Sequence, residues 1–209
     1  MMNSAMIERE MACGERPMGD GVFVAVVGPS GAGKDSLISY ARRRLAGEGA
    51  IEFVRRVVTR HSDGATEDHD SLAEDEFSAA EARGEFALSW RAHGLSYGLP
   101  ARVDRGIESG HVMVANLSRA AIPALNRRYA NVVIVEVVAD QEILASRIAG
   151  RARESAGDVA ARLARQAGID AGDATVVRLD NGGALEIAGE RLVDLLRRAL
   201  ARAAIAGAV

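Results

Sequence analysis

Residues 28–36 read Gly-Pro-Ser-Gly-Ala-Gly-Lys-Asp-Ser and carry the spacing G-x-x-x-x-G-K. That spacing suits phosphate chemistry. Gly28, Pro29, Ser30, Gly31, Ala32 and Gly33 are expected to curl so that several main-chain N–H groups face one anion. The start of the following helix adds partial positive charge. Lys34 is expected to reach the β and γ phosphates of a nucleoside triphosphate as a mobile point charge. The alternative is a plain strand-to-helix turn with an exposed lysine.

Asp35 stands where such loops carry the Ser or Thr that ligates Mg²⁺, and the hydroxyl arrives one residue late as Ser36. A carboxylate is a hard oxygen donor for Mg²⁺ but repels a triphosphate unless the metal lies between them. Asp35 is therefore expected to act through Mg²⁺, directly or through water, and Ser36 to add a hydroxyl or cap the helix. An acid at the start of a helix, facing solvent, remains the alternative for Asp35. The strand that would normally end in a metal-organising Asp ends instead in Asn116 and Leu117. Asp35 is read as compensating for that missing charge.

These residues need a strand before them and a helix after them. The apolar run at 21–28 predicts a strand buried on both faces. Leu37, Ile38, Ala41 and Leu45 recur at helical spacing, and Gly47 is a stop. Further core strands are predicted over 51–59, 111–117, 131–139 and 174–181. Helices are predicted between them, and an amphipathic helix closes the chain through Leu185, Ala188, Leu192, Leu195, Leu196 and Ala199. The alternation implies right-handed crossovers and a helix-flanked parallel sheet of five strands, an α/β fold in three layers. The stretch 59–71 reads as an exposed polar loop and 86–100 as a small hairpin. Residues 60–100 break the alternation and read as an insertion over the sheet's C-terminal edge, where ligands bind in such folds. Residues 1–20 read as a loose tail, with a short docked helix as the alternative, and 21–209 as one domain.

Composition narrows the classes. The 209 residues are 48% hydrophobic and 26% charged, with net charge -3, which weighs against nucleic-acid binding. One cysteine, Cys13, leaves no internal disulfide or cysteine zinc site, in keeping with the cytoplasm. No apolar run approaches the roughly 18 to 20 residues of a membrane span. His61, His93 and His111 lack partners at metal-ligand spacing, and Trp90 reads as core. A homodimer is compatible with the sequence.

The segments "GPSGAGK", "TR" at 59–60, "GEFALSWRAHGLSYGLP" and "RIAGRARESAGDVAARLAR" together resemble the guanylate kinase-like fold, across roughly residues 21 to 205. Within that superfamily the chain is most similar to the ribose 1,5-bisphosphate phosphokinases of phosphonate catabolism. They share Asp35 after the lysine, "ANLSR" at 115–119 and "DNGGALEIAGERL" at 180–192. Departures from guanylate kinases agree. Arg60 matches the first arginine of their T-R-x-x-R, but Asp63 replaces the second. His69 stands where they keep a phosphate-binding Tyr, and the later Tyr is kept as Tyr97. The resemblance implies transfer of a phosphoryl group from ATP to a small sugar phosphate, giving 5-phosphoribosyl 1-diphosphate (PRPP). A guanylate kinase and a non-catalytic guanylate kinase-like binding module are the competing readings.

For that reaction the resemblance implies the remaining roles. The attacking 1-phosphate is already anionic, since a phosphate monoester's second pKa is about 6, so no general base is needed. Arg147, Arg151 and Arg153, bracketing a turn at 150–157 that the resemblance implies is a lid over ATP, are expected to screen the phosphates, with Arg162 and Arg165 on the next helix; the alternative is that several are solvated helix-face charges. Arg60, Tyr97 and Arg119 are expected on the acceptor phosphates. Glu67, His69 and Asp70 are available to ribose hydroxyls. Adenine is expected near Asp180 and Asn181.

Overall fold

The computed structural model describes residues 18–60, 69–92, 94–149 and 169–206. Five parallel strands form the main sheet: β1 (Val22–Val27), β2 (Ile51–Phe53), β7 (Val112–Asn116), β8 (Val132–Val138) and β9 (Thr175–Asp180), in the order β2-β7-β1-β8-β9. The first crossover runs from β1 to β2 on one side, and the later connection from β7 to β8 passes to the other side of β1, so the winding changes direction there. The glycine-rich loop leaves the carboxyl end of β1 at this switch point, where ligands bind in open α/β sheets.

β1 is buried along its whole length, and its alternation divides the core. Val22, Val24 and Val26 pack with α1 (Lys34–Arg44) and α6 (Leu185–Ala206). Phe23, Ala25 and Val27 pack on the other face with α3 (Arg102–Glu108) and α4 (Ile122–Arg128). This is the expected three-layer α/β arrangement. In α6 the periodic Ala188, Leu192, Leu196 and Ala199 are buried. Helices α1 and α6 approach closely at Gly189, where an added Cβ would lie 2.4 Å from the Tyr40 ring. The Tyr40 hydroxyl donates to Glu190 at 2.6 Å and Arg44 donates to the same carboxylate at 2.8 Å, which together hold Glu190 below the usual carboxylate range. This clamp fixes α1, and with it the loop that α1 terminates.

The strand predicted over 51–59 is two strands. Val54 N–H still donates to Val114 in the main sheet, but β3 (Arg56–Val58) belongs to a second sheet. That sheet has the order β4-β3-β6-β5, with β4 (His69–Ser71), β5 (Phe86–Ala92) and β6 (Leu95–Pro100). Hairpin β5–β6 matches the predicted one. The loop predicted over 59–71 ends in β4, which pairs in parallel with β3 and buries His69. Helix α2 (Glu74–Ala82) is tied to this sheet by Ser96 Oγ–H donating to Glu74 at 2.8 Å and by Ser89 donating to Glu81. Residues 18–20, expected at the end of a loose tail, are held. Met18 N–H donates to Arg128 at 2.8 Å and Ala130 N–H to Met18 at 3.2 Å. No helix among the described residues is long and apolar enough to cross a membrane.

Candidate active site

The loop after β1 is built on three glycines with positive φ: Gly28 (149°), Gly31 (81°) and Gly33 (83°). Gly33 ends the loop as the residue before α1, in the left-handed conformation, and Leu37 N–H donates to its carbonyl at 3.0 Å. Lys34 Nζ donates to the carbonyls of Gly28 and Pro29, each at 2.9 Å, so the ammonium sits over the concave side of its own loop. Ala32 is fully buried and Ser36 is exposed.

Two strand ends and one helix close on this loop and the start of α1. Asn181, after β9, is buried, and its Nδ2 donates to the Ala32 carbonyl at 2.7 Å. Asn116, the last residue of β7, donates through Nδ2 to Asp35 Oδ1 at 2.7 Å. Arg147, on α5 (Gln141–Ala149) after β8, brings its guanidinium against Gly33: a Cβ there would lie 3.9 Å from Nη1. That Nη1 is buried with no hydrogen-bond partner among the described residues, a donor set for an anion. The structure therefore gathers Gly28 to Asp35, Arg147 and Asn181 around one concavity. Beside it a cleft of about 350 Å³ is lined by Val138, Ala139, Asp140, Arg178 and Asp180.

Loss of the Asn181 tether has a readable consequence. Asn181→Ala strands the buried Ala32 carbonyl, which costs about 1–3 kcal/mol. For a chain of this size a melting temperature lower by about 2–12 °C is expected, with a raised KM for the nucleotide. An unchanged melting curve would show that the tether carries no weight.

The second sheet meets the main sheet at the end of β7. Tyr97 on β6 is stacked on Trp90 at 5.3 Å between ring centroids, and Trp90 is core as predicted. Arg56 lies over the Tyr97 ring at 5.7 Å and donates to the Asn116 carbonyl at 3.2 Å, joining the two sheets. Arg60 follows β3 directly, after Thr59, which is fastened to Ser96 by bonds of 3.0 and 2.9 Å. Arg119 opens a 3-10 turn before α4 and pairs with Glu136 of β8 at 3.0 Å, both side chains about a fifth to a quarter exposed. Glu136 stands in register with Val27, next to the loop. His69 is not in a loop but in β4, where neighbouring Asp70 pairs with Arg55 at 3.1 Å. Glu67, Arg151, Arg153, Arg162 and Arg165, with the predicted lid at 150–157, lie outside the described residues.

Reading the sequence missed Arg56 and gave Asn116 only a negative role. Arg56 hides inside an apolar run that reads as one strand. Ser118, whose buried Oγ has no partner among the described residues, was signalled only as part of the "ANLSR" segment.

No family model matches the chain. The ribose 1,5-bisphosphate phosphokinase PhnN of Chelativorans sp. (strain BNC1) is 50% identical over 203 residues, 96% of this chain and 96% of that one. The protein of the same name from Agrobacterium fabrum is 44% identical over 176 residues, 84% of this chain and 96% of that one. Guanylate kinase from Anaplasma phagocytophilum superposes with a TM-score of 0.59 at 19% identity, covering 87% of each chain, a likeness that shows the fold. Because half of the aligned residues agree with such a relative over nearly the full length of both, the chain that folds this phosphate loop belongs to the ribose 1,5-bisphosphate phosphokinase family.

Proposed function

We propose that the chain moves the γ-phosphoryl group of ATP to the 1-phosphate of ribose 1,5-bisphosphate, yielding PRPP and ADP. The observation that carries this reading is the 50% identity over 96% of the chain to a protein of that name. The geometry supports a kinase: main-chain donors, Lys34 and Arg147 converge on one concavity at the carboxyl edge of a parallel sheet. The cytoplasm, where ATP and sugar phosphates are available, is the compartment this reaction needs.

Each residue is assigned a task. The loop amides from Gly28 to Gly33 and the start of α1 hold the β and γ phosphates. Lys34 and Arg147 offset the charge that gathers on the transferred phosphoryl. The Asn181 tether keeps the loop curled, and the cleft beside Asp180 is the place for adenine. Arg60, Tyr97 and Arg119 are assigned to the acceptor's phosphates, with His69 behind them in β4. No residue acts as general base, because the attacking oxygen belongs to a phosphate that is already ionised. The donor chemistry fits Mg²⁺: Asp35 offers a hard carboxylate at the loop, held in place by Asn116 at 2.7 Å. Mg²⁺, when bound there, supplies Lewis-acid screening of the triphosphate.

The acceptor reading is tested by offering ATP with ribose 1,5-bisphosphate or with GMP and following ADP release. A site that lacks the second arginine and the Tyr of guanylate kinases leaves the GMP phosphate and base short of partners. Unpaired polar groups discriminate strongly, so kcat/KM on ribose 1,5-bisphosphate is expected to exceed that on GMP by at least about 100-fold. Faster turnover of GMP would sink the assignment.

A further inference from the structure

The carboxylate after Lys34 is bonded to the one residue that replaces the missing strand acid. Asn116 Nδ2 donates to Asp35 Oδ1 at 2.7 Å, from the end of β7 to the first turn of α1. A carboxylate only accepts, so the Asn116 amide presents its NH₂ to Asp35 and leaves its carbonyl oxygen uncommitted. That Oδ1 is buried and has no partner among the described residues. The rest of Asn116 is positioned without its side chain: its backbone carbonyl accepts from Arg56 at 3.2 Å, and β7 pairs with β1 up to this residue. A buried acceptor left unmatched in an otherwise bonded frame calls for a donor or a cation.

In phosphate-loop enzymes the residue after the lysine brings a neutral hydroxyl oxygen to the metal and the neighbouring strand brings an aspartate. Here the two kinds of oxygen have changed places. We infer that Asp35 and Asn116 form the protein's half of a divalent-cation site with transposed polarity, the carboxylate on the helix and the neutral oxygen, Asn116 Oδ1, on the strand. The pair keeps the single negative charge of the ordinary arrangement. No cluster of three or more His, Cys, Asp or Glu able to hold a metal occurs among the described residues. The other ligands are then nucleotide phosphate and water, which is how Mg²⁺ is commonly held. The inference rests on a nucleotide occupying the loop, as proposed above, and is independent of which acceptor is used.

The test uses the full chain, Mn²⁺ as probe and the β,γ-imido analogue of ATP, with bound Mn²⁺ read by electron paramagnetic resonance. Affinity for the analogue in EDTA serves as the fold control. Asp35→Asn and Asn116→Ala are each expected to weaken Mn²⁺ binding in the presence of the analogue by about tenfold or more. Neither is expected to weaken metal-free binding of the analogue. The double variant Asp35→Asn with Asn116→Asp returns one carboxylate and one amide to the pair with their places exchanged, and is expected to recover Mn²⁺ affinity to within about threefold of the parent. Ordinary Mn²⁺ affinity in Asn116→Ala, a double variant no better than Asp35→Asn, or no Mn²⁺ binding by the parent protein with the analogue would each overturn the inference. A parent that binds Mn²⁺ with the analogue yet ignores ribose 1,5-bisphosphate would instead defeat the acceptor assignment and leave this pair standing.

Discussion

Lys34→Ala is expected to lower kcat at least about 1000-fold while the melting temperature stays near that of the parent. The ammonium meets the loop at two carbonyl oxygens, 2.9 Å each, which aim it across the concavity. On the proposed reading, those contacts place a full charge where the transferred phosphoryl gathers negative charge. Removing one preorganised neutral donor from such a position costs about 100- to 1000-fold in kcat, and a cation in a partly closed site contributes more. A 1000-fold loss corresponds to about 4 kcal/mol of transition-state stabilisation. The side chain is half-buried at the surface of the loop, so the packed core is untouched. Lys34→Arg is expected to rescue poorly, because a planar fork does not fit two carbonyls converging on one compact ammonium. Steady-state kinetics with ATP and ribose 1,5-bisphosphate decide the matter. A kcat within tenfold of the parent would mean that Lys34 does not touch the reacting phosphate.

Gly28→Ala is expected to destabilise the fold strongly, and the cause lies outside the phosphate loop. The residue has φ 149°, and an added Cβ would lie 2.3 Å from the Val137 carbonyl oxygen. That atom belongs to β8, a central strand of the sheet, so relief requires backbone of the core to move rather than a side chain to turn. Overpacking and backbone strain together cost about 3 kcal/mol or more. At about 2–4 °C per kcal/mol for a chain of this size, the melting temperature is expected to fall by about 6–12 °C. Gly84→Ala is the control. Gly84 also has positive φ, 72°, but nothing lies within 4 Å of its added Cβ. Its cost is expected near the roughly 1–2 kcal/mol of the left-handed conformation alone. Equal melting temperatures for the two variants would refute a steric origin.

Much of the frame was legible in the residues. The unbroken apolar β1, the glycine spacing and the periodic α1 and α6 each follow from local sequence, and each appears where its pattern demands. The run 51–59 failed as one strand because alternation reports burial, not partnership. Val54 completes the pairing with β7 while Arg56 begins another sheet, and nothing local distinguishes them. His69 looked like a loop residue because its neighbours are polar, yet parallel pairing with β3 buries it. Arg56 was hidden for the same reason: its partners, the Asn116 carbonyl and the Tyr97 ring, lie about 60 and 40 residues away in sequence.

The chain's local chemistry alone settled the phosphate loop, the alternation of strands and helices, and the oddity of an acid after the lysine. Glycine conformations and hydrophobic periods act over a few residues, so they are written in order along the chain. The tertiary structure alone decided which distant residues meet. It set Asn181 under Ala32, Arg147 against Gly33 and Asn116 beside Asp35. Those meetings depend on sheet order and crossover, which bring together residues 81 to 149 positions apart. Hydrogen bonds act over ångströms in space and leave no periodic trace in the sequence.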